Sequence, residues 1–233
     1  MASRIFALVP AAGQGTRMGD ALPKQYVPLA GRPMMFHSVE TLASVPRIVS
    51  VIVILAPMDR HWGEHDWSAF PDKIEAMFAG GRRRSGTVLN ALKLLEGRAT
   101  KDDWILVHDA ARPCLSKALV EQFLDELEND PIGGLLAIPL SDTLKGSDEN
   151  QRVERTIPRA KLWRAQTPQM FRYGLLRRAI EKVPDATDES QAIEAVGFAP
   201  RLVQGENSNF KVTFAEDLPL AEIVLSRRTP IPL

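Results

Sequence analysis

The chain has one cysteine, Cys114, in 233 residues. That excludes an internal disulfide and a cysteine-based structural zinc site, suits a reducing compartment, and leaves Cys114 as a small buried apolar side chain. It also lacks net charge: Lys plus Arg and Asp plus Glu both come to 29. With no overall field to draw it to nucleic acid or an anionic membrane, any anion site has to be local. No apolar run approaches the roughly 20 residues that span a bilayer. Arg4 and the following IFALVPAA imitate a signal peptide, but the apolar part is short, is interrupted by Pro10 and runs directly into a loop. A cytoplasmic protein without nucleic-acid or membrane partners is expected. Internal repeats and low-complexity tracts are absent as well.

What is present is a 45% hydrophobic chain, enough to bury the core of one large α/β domain over residues 1–233. Apolar runs of strand length occur at Ile5 to Val9 and at residues 48–56, 73–78, 104–107 and 135–140. Helical patterns occupy residues 33–43, 85–95, 117–127, 173–182, 188–196 and 215–225, and residues 202–213 look strand-like. This alternation predicts a doubly wound, mostly parallel α/β sheet, with ligands beyond the carboxyl ends of its strands. It lapses at residues 141–163, a polar stretch with strand-like pieces around a Gly-Ser-Asp-Glu-Asn turn. A protruding two-stranded arm is expected there. An isolated hairpin is marginal in water, so a second copy of the chain is its expected partner.

Three loops carry the chemistry. In the first, Gly13 and Gly15 supply a turn whose amide N–H groups approach an anion, with Arg17 and Lys24 following. A dinucleotide fingerprint fails here because Met18 stands where the third glycine is needed, and a P-loop fails because no Gly-Lys-Ser/Thr follows. The second loop places Asp109 in HDAARP at a strand end, where a carboxylate suits Mg²⁺; Arg112 would hold the loop or another phosphate. The alternative for a lone Asp at that position is a turn or helix cap. In the third, Gly80 and Gly81 lead to RRRSGT before a helix, whose N-terminus favours anions; a solvated charge run is the usual explanation for residues 82–84. His61 and His65 lack a zinc-binding pattern and are read as surface or packing residues. His108 either orients Asp109 or is a buried, satisfied histidine. The four tryptophans are read as packing residues.

Gly13, Gly15, Thr16, Arg17, Met18, Pro23 and Lys24 together resemble the nucleotidyltransferase signature of enzymes that load a nucleoside monophosphate onto a phosphorylated sugar or polyol. With VHDAARP, SDT, the Pro-Arg of TIPRAKLW, QTPQ, TDE, FKVT and EDL, nearly the whole chain resembles the 2-C-methyl-D-erythritol 4-phosphate cytidylyltransferase family of the non-mevalonate isoprenoid pathway. The resemblance implies a Rossmann-like, glycosyltransferase-A-like fold and a homodimer with a swapped arm. It implies CTP against Pro10, Ala11, Ala12, Gly13, Gly15, Arg17, Lys24, Gly81, Thr87, Asp109, Ala110 and Thr167, with Lys211 at the triphosphate end. It also implies Asp142, Thr143 and Arg159 of one subunit over the polyol phosphate of its neighbour. Two positions depart from the family: Arg82 stands where an acidic residue is usual, and Thr87 where serine is usual, keeping the hydroxyl.

The expected reaction is in-line attack of a phosphate-monoester oxygen on the α-phosphorus of CTP. That nucleophile is ionised at neutral pH and needs no general base, in keeping with the lack of an obvious Ser-His-Asp or Cys-His set. Two anions must meet, so catalysis is positioning and charge neutralisation by Arg17, Lys24 and Mg²⁺. A cytidylyltransferase for another polyol phosphate, such as ribitol phosphate, and a catalytically silent nucleotide-binding module are the alternative functions.

Overall fold

A computed structural model of the chain describes residues 3–13, 22–68 and 72–227. The run IFALV becomes strand β1 (Ile5–Pro10), followed in the chain by β2 (Ile48–Ile54), β3 (Ile74–Met77), β4 (Trp104–Val107) and β5 (Gly133–Pro139). A hairpin of β6 (Leu144–Ser147) and β7 (Val153–Ile157) comes next, then β8 (Trp163–Arg172) and β9 (Arg201–Gln204). Seven of these make one sheet in the order β9-β5-β8-β4-β1-β2-β3. Its pairings are parallel except those of β8, which runs antiparallel to both β4 and β5.

Alternation along the strands sorts the core into two layers. Ala7 and Val9 of β1, Val51 and Val53 of β2 and Leu106 of β4 face one side, where helix α1 (Met34–Ala43) contributes Met35, Val39 and Leu42. On the same side, α3 (Lys117–Leu127) contributes Leu119, Phe123 and Leu127. Phe6, Leu8, Ile52, Ile54, Ile105 and Val107 face the other side. There they meet Val88, Ala91 and Leu92 of α2 (Arg84–Leu94) and Leu176 and Ile180 of α4 (Tyr173–Lys182). Ile193 of α5 (Glu189–Ala195) completes that layer. Strands buried on both faces read as unbroken apolar runs because helices cover each side. A smaller cluster under α6 (Asp217–Ser226) buries Cys114 with Leu29, Met34 and Val212, as expected for a lone apolar cysteine.

Two elements differ from the sequence expectation. The segment 163–172, of which the sequence reading places only Trp163 in the arm and gives the rest no element, is a strand of the main sheet. Its pattern WRAQTPQMFR argues against a strand on two counts: Pro168 offers no N–H, and Gln166, Thr167 and Gln169 are polar. The register against β5 breaks between Ala165 and Gln169, which accommodates the proline. The buried amides are satisfied from outside the sheet: Gln166 Nε2 donates to Glu206 O at 2.9 Å and Gln169 Nε2 to Asp188 at 3.0 Å. Of residues 202–213, only the first few pair as strand; the remainder turns and carries Asn209, fully buried, under the site.

The expected hairpin at 141–163 is present, with β6 and β7 antiparallel and Val153 at 65% exposure. Trp163 is also exposed, contrary to a packing role within the chain. Among residues 59–68, Trp62 and Trp67 stack at 4.0 Å, and His61 and His65 pack on Tyr26 at 5.2 and 5.7 Å. The histidines are therefore packing residues.

The amino end of the sheet is tied by Asp103. Its Oδ1 accepts from Arg4 N at 2.8 Å, and its Oδ2 accepts from Arg4 Nη2 and Thr100 N, both at 2.8 Å. Burial would raise its pKa, but the Arg4 and Thr100 donors prevail and hold it down to about 2. A depressed carboxylate stabilises the fold above its unfolded pKa, and that contribution disappears as pH falls through the folded value. Asp103→Asn is expected to lower the melting temperature at neutral pH and to flatten the acid-side loss of stability between pH 3.8 and about 2. Thermal melts of both proteins across that range check it; parallel acid profiles would refute the tie.

Candidate active site

Beyond the carboxyl ends of β1 and β4 lies a cleft of about 640 Å³. Its lining includes Pro10, Ala11, Ala12, Gly13, Lys24, Gly81, Thr87, Asp109, Ala110 and Lys211, so three distant loops converge as the sequence implied. Gly15 and Arg17 lie outside the described residues. Thr167 and Arg112 sit beneath or beside the cleft, in contact with the Asp109 loop. Asp142, Thr143 and Arg159 are exposed on the arm and do not line the cleft of their own chain.

The glycines serve different ends. Gly13 is not among the positive-φ glycines, and among the described residues a Cβ there would meet nothing within 4 Å. Gly80 and Gly81 are sterically required. A Cβ on Gly80 would lie 2.3 Å from Ala12 Cβ and 2.8 Å from Leu55 O. A Cβ on Gly81 would lie 2.8 Å from Gly86 C and 2.9 Å from Thr87 N. The Thr87 hydroxyl accepts from Gly81 N at 3.0 Å and donates to Arg83 O at 3.1 Å, closing this turn over the start of α2.

Asp109 follows β4 and is the centre of charge. Its Oδ1 accepts from Arg84 Nε at 2.9 Å and its Oδ2 from Lys211 Nζ at 2.8 Å. Burial would raise its pKa; the charges of Arg84 and Lys211 overcome this and hold it well below the usual carboxylate range. Arg84 in turn gives its Nη1 and Nη2 to Glu189 at 2.7 and 3.0 Å. Burial would lower the pKa of Arg84, but Glu189 and Asp109 together drive it above its ordinary value. Arg82 and Arg83 are exposed, as a solvated charge run would be, whereas Arg84 departs from that expectation. Sequence reasoning missed both Arg84 and Glu189, although Glu189 lies in the TDE segment that carried the resemblance.

The loop carrying Asp109 is held from below. Asp109 N donates to Thr167 Oγ1 at 3.0 Å, and Thr167 Oγ1 lies 3.0 Å from His108 Nδ1. His108 Nε2 lies 3.2 Å from Arg112 O. Because a carbonyl can only accept, Nε2 carries the proton and Nδ1 accepts from the threonine hydroxyl. Burial, foremost, lowers the His108 pKa to about 4, which keeps this neutral tautomer at physiological pH. Both readings of His108 thus hold: it is buried and satisfied, and it orients the Asp109 loop. Arg112 spends Nη1 on Asn209 O at 2.8 Å, which braces the loop.

Asp109 also fits a divalent ion by the chemistry of its donors. It is an ionised, hard carboxylate at the cleft wall, and Mg²⁺ at nucleotides takes one or two such ligands, completing its shell with phosphate oxygens and water. Among the described residues no group of three or more His, Cys, Asp and Glu could hold a metal by itself. A metal at Asp109 would therefore draw most of its ligands from a bound nucleotide. The Lys211 side chain, 44% exposed, is able to leave Oδ2 for it.

The family model described as IspD, 2-C-methyl-D-erythritol 4-phosphate cytidylyltransferase, matches residues 5–227. A protein of Azoarcus sp. strain BH72 named 2-C-methyl-D-erythritol 4-phosphate cytidylyltransferase is 51% identical over 228 residues, covering 98% of this chain and 97% of that one. A relative from Nitrosospira multiformis with the same name is 54% identical, covering 94% and 97%. Among solved structures, a 4-diphosphocytidyl-2C-methyl-D-erythritol synthase superposes with a TM-score of 0.85 at 34% identity, covering 96% of this chain and 99% of that one. The cytidylyltransferase of Francisella tularensis superposes with a TM-score of 0.81 at 31% identity, covering 95% and 100%.

The Gly81 geometry yields a test. Gly81→Ala is expected to push the turn off Thr87 and to weaken nucleotide binding by about tenfold, as removal of a positioning contact worth ~1.4 kcal/mol would, with far-ultraviolet circular dichroism unchanged. Wild-type nucleotide affinity in the folded variant would show that the turn tolerates the methyl group.

Proposed function

Because this chain belongs to the 2-C-methyl-D-erythritol 4-phosphate cytidylyltransferase family, we propose that the cleft around Asp109 is where it works and that its charges are the catalytic apparatus. The chain transfers the cytidylyl group of CTP to 2-C-methyl-D-erythritol 4-phosphate, giving 4-diphosphocytidyl-2-C-methyl-D-erythritol and pyrophosphate, in isoprenoid biosynthesis. The observation that carries the site assignment is the convergence of Lys24, Asp109 and Lys211 on one cleft at the strand ends.

In this assignment the base lies against the Gly80-Gly81 turn and Thr87, and the triphosphate runs past Ala12, Gly13 and Lys24 toward Lys211. Arg17 joins Lys24 in neutralising the charge that builds at the α-phosphorus. Asp109 would hold Mg²⁺, which would supply further charge neutralisation when bound. The attacking monoester oxygen carries negative charge already, so no side chain has to take its proton. This agrees with the state of His108, whose ring nitrogens both have partners, Arg112 O in the loop and Thr167 Oγ1 on β8. Catalysis is then alignment of two anions within a preorganised cationic pocket.

The acceptor subsite is completed across a homodimer. The hairpin carries Asp142, Thr143 and Arg159 away from its own cleft and leaves Val153, Leu162 and Trp163 exposed. These features support an arm that packs on a second copy and sets Arg159 and Thr143 over the neighbour's polyol phosphate. Among the described residues no helix is long and apolar enough to cross a membrane.

Pyrophosphate release from CTP, with 2-C-methyl-D-erythritol 4-phosphate or ribitol 5-phosphate and with or without a chelator, is the direct test. Release with the former that the chelator abolishes is expected; release unaffected by chelator would remove the metal from Asp109. Lys24→Ala and Lys211→Ala are each expected to cost on the order of 3 kcal/mol of transition-state stabilisation, so near-normal kcat/KM in either contradicts its role. Arg159→Ala is expected to raise the KM of the polyol phosphate while leaving that of CTP unchanged, and a change confined to CTP would place Arg159 elsewhere.

A further inference from the structure

Arg84 divides its guanidinium unequally between two carboxylates. Its fork, Nη1 and Nη2, goes to Glu189, and only Nε reaches Asp109, at Oδ1. Two parallel bonds to one carboxylate make the stronger and more directional arrangement, so the fork commits Arg84 to Glu189. Glu189 is the more firmly fixed partner, being 1% exposed as the first residue of α5. That helix start is itself latched. Asp188 Oδ1 accepts from Gln191 N at 2.8 Å, Asp188 Oδ2 accepts from Gln169 Nε2 at 3.0 Å, and Gln169 Oε1 accepts from Ser190 N at 2.8 Å.

We propose that Glu189 is a positioning residue that keeps the Arg84 fork off Asp109, so that Asp109 presents Oδ2 to the divalent ion. This rests on the assignment of Asp109 as the metal ligand in the nucleotide complex. Five charges meet here: Arg84, Lys211 and Arg112 face Asp109 and Glu189, a surplus of one positive charge. Without the Glu189 carboxylate, the freed guanidinium swings its fork onto Asp109. It then covers both oxygens, raises the positive surplus beside the ion's position from one charge to two and competes with the metal for the same ligand. Lys211 plays the opposite part. It holds Oδ2 through a flexible, half-exposed chain that can turn to a phosphate when the ion arrives, whereas Arg84 cannot leave.

The property to measure is the coupling between metal and nucleotide: the ratio of CTP affinity in Mg²⁺ to that in EDTA. Isothermal titration calorimetry on the full chain without acceptor gives it, with no turnover involved. Wild type is expected to bind CTP more tightly with Mg²⁺, and Glu189→Gln to reduce the ratio by about tenfold, the usual effect of removing a partner behind a metal ligand. Glu189→Asp, which keeps the charge on a shorter stem, is expected to recover part of it, while CTP affinity in EDTA stays near wild type in both. A folded Glu189→Gln with the wild-type ratio would overturn the inference. Should that variant melt below the assay temperature, Arg84→Lys serves instead, because an ammonium has no fork to divide between the two carboxylates. With no fork to cover both oxygens of Asp109, that variant is expected to keep the wild-type ratio, and a tenfold loss there would overturn the inference. A wild-type protein indifferent to Mg²⁺ would fail the metal assignment at Asp109 and the inference with it; a metal-responsive wild type beside a Glu189→Gln variant of the same ratio fails the inference alone.

Discussion

The ion pair network on Asp109 is the constraint the remainder of the site answers to. Moving a charge out of water costs several kcal/mol even after relaxation, and here Asp109, Arg84 and Glu189 are together largely withdrawn from solvent. Their mutual pairing offsets that cost but does not turn it into a gain that apolar side chains of the same volume would fail to match. Such a cluster is poor economy for stability alone. Its place at the mouth of β4, where an incoming polyanion finds cations already aimed and a carboxylate already ionised, gives it a catalytic rationale: the reorganisation is done before substrate arrives.

Several structural choices follow from keeping that carboxylate in place. β4 delivers it, and the antiparallel β8 passes alongside so that Thr167 can cap its amide and hold His108. A fully parallel sheet would carry a crossover helix at that position, with no reason for a polar strand to lie in the core. Here the buried Gln166, Thr167 and Gln169 each bond outward, to the segment after β9, to the Asp109 loop and to the α5 cap. The strand is thus the hub through which three loops keep a common register.

The core and the site draw on different physics. Above and below the sheet, alternate strand residues bury against helices with nondirectional apolar contacts, and many sequences of similar pattern would serve. At the strand ends the contacts are directional, and small changes matter: a methyl group on Gly80 would meet the Leu55 carbonyl at 2.8 Å. The cost of misplacing a charge by an ångström falls on chemistry rather than on folding.

The amino-acid order alone determined much of this protein. Runs such as IFALV and IVSVIVILA announce doubly covered strands because burial on both faces leaves no room for alternation, and local pattern suffices to find them. Asp109 and the Gly80-Gly81 turn are legible for a related reason: each follows the end of an apolar run, which in an α/β sheet is where ligands lie, while Lys24 is legible through the signature that follows the first strand. Only the tertiary structure decided what β8 is, since its proline and glutamines speak against a strand until distant acceptors satisfy them. It also separated Arg84 from Arg82 and Arg83. Three arginines in a row are equivalent by composition, and what distinguishes the third is a carboxylate more than a hundred residues away, Glu189, brought near by packing of α5 on the sheet. Charge is local in sequence, but its partner, and with it its role, is fixed by long-range contact.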